Sequence, residues 1–587
     1  MLLRCFPIFL LLLLIPDLFF SHRFQERFVP AAQENMLQIT SKPDSFISPL
    51  DIPLTLAGNF GEPRKSHFHT GLDFRTNQME GLKVYAVADG YVSRINVSGG
   101  GYGNALYITH PSGYTTVYAH LREFSDKIQK RLRTEQYSKE SFAVDFNLPP
   151  NEIVVKQGDV IALSGNTGGS GGPHLHFEVR DANEWPHNPM LYGYNLKDNI
   201  KPVIGFLKLY PLEELKYKAE GYRTKPLLQN GIYEVATGTI KVNDNVVGFS
   251  VNSYDLINNT SNTIGIYNMT VFDDDKMVYD YRIDKLSFAD KRYVLSHVDY
   301  PVFIAEGRKS FHKCFQEPGN KCPVYSNVVN GGSIDVSDGK PHKILVEITD
   351  FAGNVSLLDF KLQYEKSSTL FKQKNFNYTT LFNFNRENKF ETKDIKVNIP
   401  AGCLFDDVYF NYIVSETKDS STFSKVHQLG RSSDLSFDWF DVSVRAEKLP
   451  TELSNKALLV LREDDGAASA KGGVFANGFV TARTRDFGTY CIKVDTTAPK
   501  IQALNVVAGK NMRVYKKLLF KISDNLSGIS DFDTYIDGKW TVTEYDQKTA
   551  TLTHWLDLSL PSGEHTFKVV VEDERKNRRE LSLKFFM

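Results

Sequence analysis

The stretch GPHLHFEVR, residues 172–180, sets two histidines two apart around a single leucine. Read as a β-strand, it sends His174 and His176 to one face and Leu175 and Phe177 to the other. Two imidazoles side by side on a rigid strand are either half of a metal site or a coincidence. The neighbourhood favours the first. Of the 14 histidines in the chain, seven lie between residues 51 and 200, together with most of the glycine clusters.

The segments around this strand read as short strands and turns. VYAVADGYVSRINV (84–97) suggests a hairpin turning at Asp89-Gly90. NALYITHPSGYTTVYAHL (104–121) suggests a second, turning at Pro111-Ser112-Gly113, and EIVVKQGDVIALSGNTG (152–168) a third at Gln157-Gly158-Asp159. REFSDKIQKRLRTEQYSKESFAVD (122–145) is charged and has helical spacing, so it reads as an insertion in the sheet. Upstream, NFGEPRKSHFHTGLDFRT (59–76) spaces His69 and Asp73 around Thr70-Gly71-Leu72. A bend at Gly71 would let the imidazole and the carboxylate converge. With one strand histidine they would make a two-His, one-Asp set, the donor chemistry and ligand number of a catalytic zinc site with an open position. The helical HExxH signature is absent. GNTGGSGGP (165–173) lacks the Lys-Ser/Thr ending of a phosphate loop and reads as a place of close backbone approach to substrate.

Three motifs in order, HTGLDF, YAHL and GPHLHFE, resemble the lysostaphin/LytM-type zinc metallopeptidases over roughly residues 55–185, about a quarter of the chain. The resemblance implies a compact antiparallel sheet with a narrow groove over Zn2+, held by His69, Asp73 and His176. It implies His120 and His174 as the catalytic pair. The 122–145 insertion after YAHL is the departure from the family pattern, and it bears on substrate preference. Asn59, Arg64 and His67, just before the first ligand, are weaker candidates for the substrate groove; a turn cap, a structural ion pair and a bystander histidine are the alternatives. His110, before Pro111, reads as a solvated turn residue.

Size and composition frame this domain. At 587 residues the chain exceeds a single core, and three or four domains are expected. Its aromatic content of 12% is mainly Phe and Tyr, which favours strands. A formal net charge of −1 gives no global field for nucleic acid, which is not expected as a partner. MLLRCFPIFLLLLLIPDLFFS (1–21) reads as an export signal or, if uncleaved, as the only membrane anchor. The expected location is therefore the periplasm, the cell envelope or the exterior.

The expected architecture is mainly β: a lead-in segment at 22–50, a metallopeptidase domain at 51–200 and a β-sandwich at 201–365. A β-rich middle domain at 366–494 and a C-terminal Ig-like sandwich at 495–587 follow. HKILVEITDFAGN (342–354) aligns without a gap with HTFKVVVEDERKN (565–577), pairing Asp350 with Asp573 and Asn354 with Asn577, which implies two sandwiches of related build. The Asp-x-x-x-Asn turns read as Asx-turns, with calcium binding as the alternative. Cys314, Cys322, Cys403 and Cys491 are even in number, so the pairings Cys314–Cys322 and Cys403–Cys491 stand open against four plain thiols.

The expected activity is that of an exported zinc endopeptidase cutting peptidoglycan peptides. The alternatives are a non-catalytic murein-binding regulator of another hydrolase, acting through a protein partner, and an extracellular protease on glycine-rich proteins. The 51–200 segment is expected to fold and bind zinc by itself.

Overall fold

A computed structural model describes residues 46–587 apart from 195, 259–260, 463–466 and 558. The targeting segment, Cys5 and most of the lead-in lie outside the described residues. Among the described residues, no helix is long and apolar enough to cross a membrane. The chain is mainly β.

Residues 46–194 build two sheets. The larger contains β1 (Leu56–Gly58), β2 (Leu72–Arg75), β4 (Gly90–Val97), β5 (Asn104–Thr109), β6 (Thr115–Ala119), β8 (Val144–Asn147) and β11 (His174–Arg180), in the order β1-β2-β11-β6-β5-β4-β8. Two short strands join it at the side, β9 (Val154–Val155) on β4 and β12 (Pro186–His187) on β11. The smaller sheet is β3 (Lys83–Tyr85), β10 (Val160–Leu163) and β7 (Glu123–Phe124), ordered β3-β10-β7. All pairings within the two sheets are antiparallel. Leu175 and Phe177 of β11 are fully buried in the core with Phe74 and Tyr118, so the histidine face of β11 turns away from it.

Only one of the three expected hairpins forms. β5 and β6 pair around the turn after Thr109. At Asp89-Gly90 and at Gln157-Gly158 the chain crosses between sheets instead: β3 pairs β10 while β4 pairs β5, and β9 pairs β4 while β10 pairs β3. The two crossings pack against each other. Asp89 accepts from the backbone N–H of Gln157 and from Lys156 Nζ, both at 2.8 Å, so exposed turn residues serve as an inter-sheet clasp. The insertion forms helix α1 (Asp126–Lys139), which buries Ile128, Leu132 and Gln136, and the flanking β7 and β8 belong to the two sheets rather than interrupting them.

Beyond residue 200, two sheets occupy 203–364. One centres on Val246–Leu256 and the other on the hairpin His342–Thr349 with Val355–Tyr364. Two five-stranded sheets and a two-stranded ribbon follow between residues 380 and 494, around a buried cluster that includes Phe410, Phe440 and Tyr490. A four- and a five-stranded sheet end the chain, with the hairpin Glu564–Asp573 and Arg578–Phe586 matching the earlier one in register of its closing Asp and Asn. All four cysteines are buried free thiols, so neither disulfide forms.

The core of residues 46–194 does not stop at 200. It runs without a break through Leu207, Phe249 and Tyr281 to Phe371. Backbone hydrogen bonds cross the same junction: Phe68 N–H to the Lys291 carbonyl at 3.1 Å, Asn188 N–H to Asp284 at 2.7 Å and Leu286 N–H to Pro186 at 3.0 Å.

Candidate metal centre

Strand order assembles the site. β11 lies between β2 and β6, so one residue of β11 has a neighbour on each side: His176 faces Asp73 on β2 and Ala119 on β6. His120 follows Ala119 at the end of β6 with φ at 59°, a left-handed conformation that turns the chain just past the strand. His69 precedes β2 in a loop. Five residues distant in sequence thus meet at one end of the sheet.

Three donor atoms converge. His69 Nε2 lies 3.1 Å from His176 Nδ1 and 3.0 Å from Asp73 Oδ1, and His176 Nδ1 lies 2.9 Å from Asp73 Oδ1. All three residues are buried. The outer nitrogen of each ring is already engaged: His69 Nδ1 donates to the Asn59 carbonyl at 2.8 Å, and His176 Nε2 to Glu178 Oε1 at 2.9 Å. Each ring therefore turns a lone pair inward, beside a carboxylate oxygen. Three acceptors so placed repel unless a cation or a proton lies among them. Tetrahedral zinc with bonds of about 2 Å wants its donors roughly 3.3 Å apart, close to the spacing found. The residues fit zinc.

A proton on His176 can serve the same purpose. Burial opposes charge on His176, but hydrogen bonds from its ring to the Asp73 and Glu178 carboxylates outweigh it and raise the imidazole to about 9. Burial likewise opposes ionisation of Asp73, yet the imidazoles around it hold its carboxyl well below the usual range. Burial lowers His69. A metal ion would displace the His176 proton.

His120 and His174 stand beside this triangle, with ring centroids 4.8 Å apart. His120 Nδ1 donates to the Thr167 carbonyl and His174 Nδ1 to the Gly172 carbonyl, both at 2.8 Å. This turns both Nε2 atoms away from those carbonyls, and His174 Nε2 faces Asp73 Oδ1 at 3.4 Å. Burial, then the neighbouring His176 and His174, lowers His120 to about 3, so its imidazole is neutral.

The weaker groove candidates separate. Arg64 does reach the site, donating from Nη2 to Asp73 Oδ2 at 2.9 Å. Asn59 holds His69 through its carbonyl, while its side chain exchanges two hydrogen bonds with the Gly265 backbone, at 2.7 and 2.8 Å, tethering the β1–β2 loop to the 203–364 unit. His67 lies in the loop before β2. His110 is not solvated. It is buried, bonding the Asp89 carbonyl and Thr116 Oγ1 at 2.8 Å each, because the turn tucks under the Asp89 crossing. Gly71 is required for space rather than for its bend: a Cβ there would collide with the Phe177 carbonyl oxygen and stand 2.9 Å from His176 Cε1. Within the 165–173 loop a Cβ on Gly168 would strike the backbone of Gly103, whereas Gly171 and Gly172 face open space.

Glu178 was missed. It is fully buried and accepts from His176, from Thr70 Oγ1 and Tyr102 Oη at 2.6 Å each, and from Arg180 Nε at 2.7 Å. Burial works against its charge, but Arg180 and His176 hold its carboxyl far below the usual range. Strand parity carried the signal: residues 174, 176, 178 and 180 share one face of β11.

The profile described as Peptidase family M23 matches residues 67–137 and 150–189, and one described as a Zu5-like domain matches 379–495. The DD-carboxypeptidase/endopeptidase Mpg of Neisseria meningitidis serogroup B is 38% identical over 122 residues, 21% of this chain and 22% of that protein. The peptidoglycan DD-endopeptidase ShyB of Vibrio cholerae is 41% identical over 112 residues, 19% of this chain and 20% of that protein. A solved zinc containing peptidase from Vibrio cholerae is 30% identical, covering 26% of this chain and 41% of that one with a TM-score of 0.19. The chain spans about a fifth of the length of these curated relatives. The matched segments contain His69, Asp73, His120, His174 and His176, and the domain they form belongs to peptidase family M23.

Proposed function

We propose that this chain is an exported zinc endopeptidase that hydrolyses peptide bonds in peptidoglycan stem peptides or cross-bridges. The observation that carries the reading is the convergence of His69 Nε2, His176 Nδ1 and Asp73 Oδ1, with two further imidazoles beside them. The names of its M23 relatives supply the substrate class. The N-terminal apolar segment supports export, and the division at 201–365, 366–494 and 495–587 remains the proposed layout of the remaining chain.

His69, Asp73 and His176 would hold the zinc. When bound, the ion supplies Lewis acidity, which acidifies water and polarises a carbonyl. The chain's own residues do the rest. Glu178 and the Asn59 carbonyl keep both ligand rings in the tautomer that points a lone pair inward. His120 and His174, fixed by their Nδ1–H bonds, take a proton at Nε2 from the attacking water and return it to the leaving amine. The protonated imidazole also offers its N–H to the oxyanion as charge develops there.

The test is digestion of purified peptidoglycan by the zinc-loaded protein, with an elastin-like glycine-rich peptide alongside. New peptide termini in the released muropeptides support the reading and identify the bond. Cleavage of the glycine-rich peptide alone would move it to an extracellular protease. Failure on both, with zinc confirmed in the site, would favour a murein-binding regulator that acts through a protein partner.

A further inference from the structure

We propose that Asp198, Asp255 and Asp350 form a divalent-cation site of the calcium class, and that Asp495, Asp524 and Asp573 form a second copy near the C-terminus. Each trio offers one carboxylate oxygen per residue, all within 4.8 Å of one another. Neither trio touches the M23 site, and the inference stands apart from the proposed activity.

Each trio is drawn from three separate pieces of chain, in the same arrangement. Asp198 lies on the segment entering the 203–364 unit. Asp255 is on Val246–Leu256 of one sheet, and Asp350 closes His342–Thr349 of the other. Asp495 lies on the segment entering the last unit. Asp524 follows Lys517–Ser523 of its four-stranded sheet, and Asp573 ends Glu564–Asp573 of the five-stranded one. The linkers agree in sequence, with a proline four residues after each aspartate, Pro202 and Pro499. The hydrogen bonds agree as well. Asn354 Nδ2 bonds Asp350 Oδ2 at 2.8 Å and the Asp198 carbonyl at 3.4 Å. Asn577 Nδ2 bonds Asp573 Oδ2 at 2.8 Å and the Asp495 carbonyl at 3.0 Å.

The Asx-turn accounts for Asp350 and Asp573, whose oxygens are all engaged by Asn354 and Asn577. It leaves the middle residue unexplained. Asp255 is 2% exposed, and its Oδ1 has no hydrogen-bond partner among the described residues. The same atom is bare at the equivalent place in the other copy, Asp524 Oδ1. The carboxylates facing Asp255 are those of Asp350 and Asp198, both of the same sign as its own. A buried carboxylate oxygen left without a donor is costly, and its recurrence at two equivalent sites points to a common ligand. Carboxylate oxygens alone select a hard cation, and an irregular donor set gathered from three segments suits calcium better than octahedral magnesium. A bound ion would clamp each incoming linker to both sheets of its unit. In the second copy Lys456 Nζ bonds Asn577 Oδ1 at 2.8 Å, so a cation already stands close by and the first site should be the tighter.

The experiment uses the full chain, stripped of divalent ions and reloaded with one equivalent of zinc. Calcium chloride is titrated by calorimetry, and thermal unfolding is followed at about 10 mM, above the ~10⁻⁴–10⁻³ M range of extracellular calcium modules. The expected result is two ions bound per chain and a melting temperature raised by several degrees. Asp255→Asn, an isosteric change, should lose one ion, and Asp524→Asn the other. Asp198→Asn on the linker gives the same reading should Asp255→Asn fail to fold. Absence of binding and of any melting shift in the wild type overturns the proposal, as does unchanged stoichiometry in the folded variants.

Discussion

At the scale of single residues, the site separates holding from reacting. His176 and Asp73 face the centre with atoms already 2.9 Å apart. His176→Ala and Asp73→Ala should abolish zinc binding, read by metal analysis of the purified protein. His120→Ala and His174→Ala should keep the metal and lose turnover by ~10²-fold or more, the scale of a missing acid–base group. Full activity in His120→Ala would remove that residue from the mechanism. Glu178→Gln should bind zinc roughly 10–100-fold more weakly, since the neutral amide no longer holds the His176 tautomer. Unchanged affinity there would reduce Glu178 to a core ion-pair partner of Arg180. His69, Asp73 and one of the two strand histidines were legible in the sequence because two-residue spacing on a strand and four-residue spacing around a glycine survive without knowledge of the fold, whereas the choice of His176 over His174 rested on the family resemblance. Glu178 lay on the same parity and was legible too. The fate of Asn59 was not, because its partner Gly265 is 206 residues away.

At the scale of elements, the placement of β11 between β2 and β6 does most of the work. That placement makes Gly71 sterically obligatory, since its Cα faces the Phe177 carbonyl across the β2–β11 pair. Gly71→Ala should cost about 2 kcal/mol or more of stability, because backbone rather than a flexible side chain would have to move. A melting temperature within a degree or two of wild type would show the strand pair to be more pliant than drawn. The turn signals at Asp89-Gly90 and Gln157-Gly158 were legible as turns but not as crossings. A hairpin and an arch between sheets share the same local chemistry, and only the pairing partner, remote in sequence, tells them apart.

At the scale of the molecule, the M23 domain and the 203–364 unit share one core. Sequence reading sets a boundary at 200, where the composition changes, but burial does not follow composition: the Phe68 ring packs against His297 with centroids 5.4 Å apart. A fragment ending at 200 should therefore lose stability that a fragment ending near 371, which keeps most of that core, should retain. Cooperative unfolding of both fragments at the same temperature would contradict a shared core. On the other flank Lys548 reaches the Asn166 carbonyl and Gln547 N–H bonds the Gly99 carbonyl at 3.0 Å, so the last unit touches the loops at the far side of the same domain.

One paired measurement tests the central claim most directly: zinc content and muropeptide release, determined together for the wild type, Asp73→Ala, His176→Ala, His120→Ala and His174→Ala. The account predicts a three-way split. The wild type has zinc and products, the two ligand variants have neither, and the two histidine variants have zinc with little product. Product release by Asp73→Ala or His176→Ala without bound metal would contradict it.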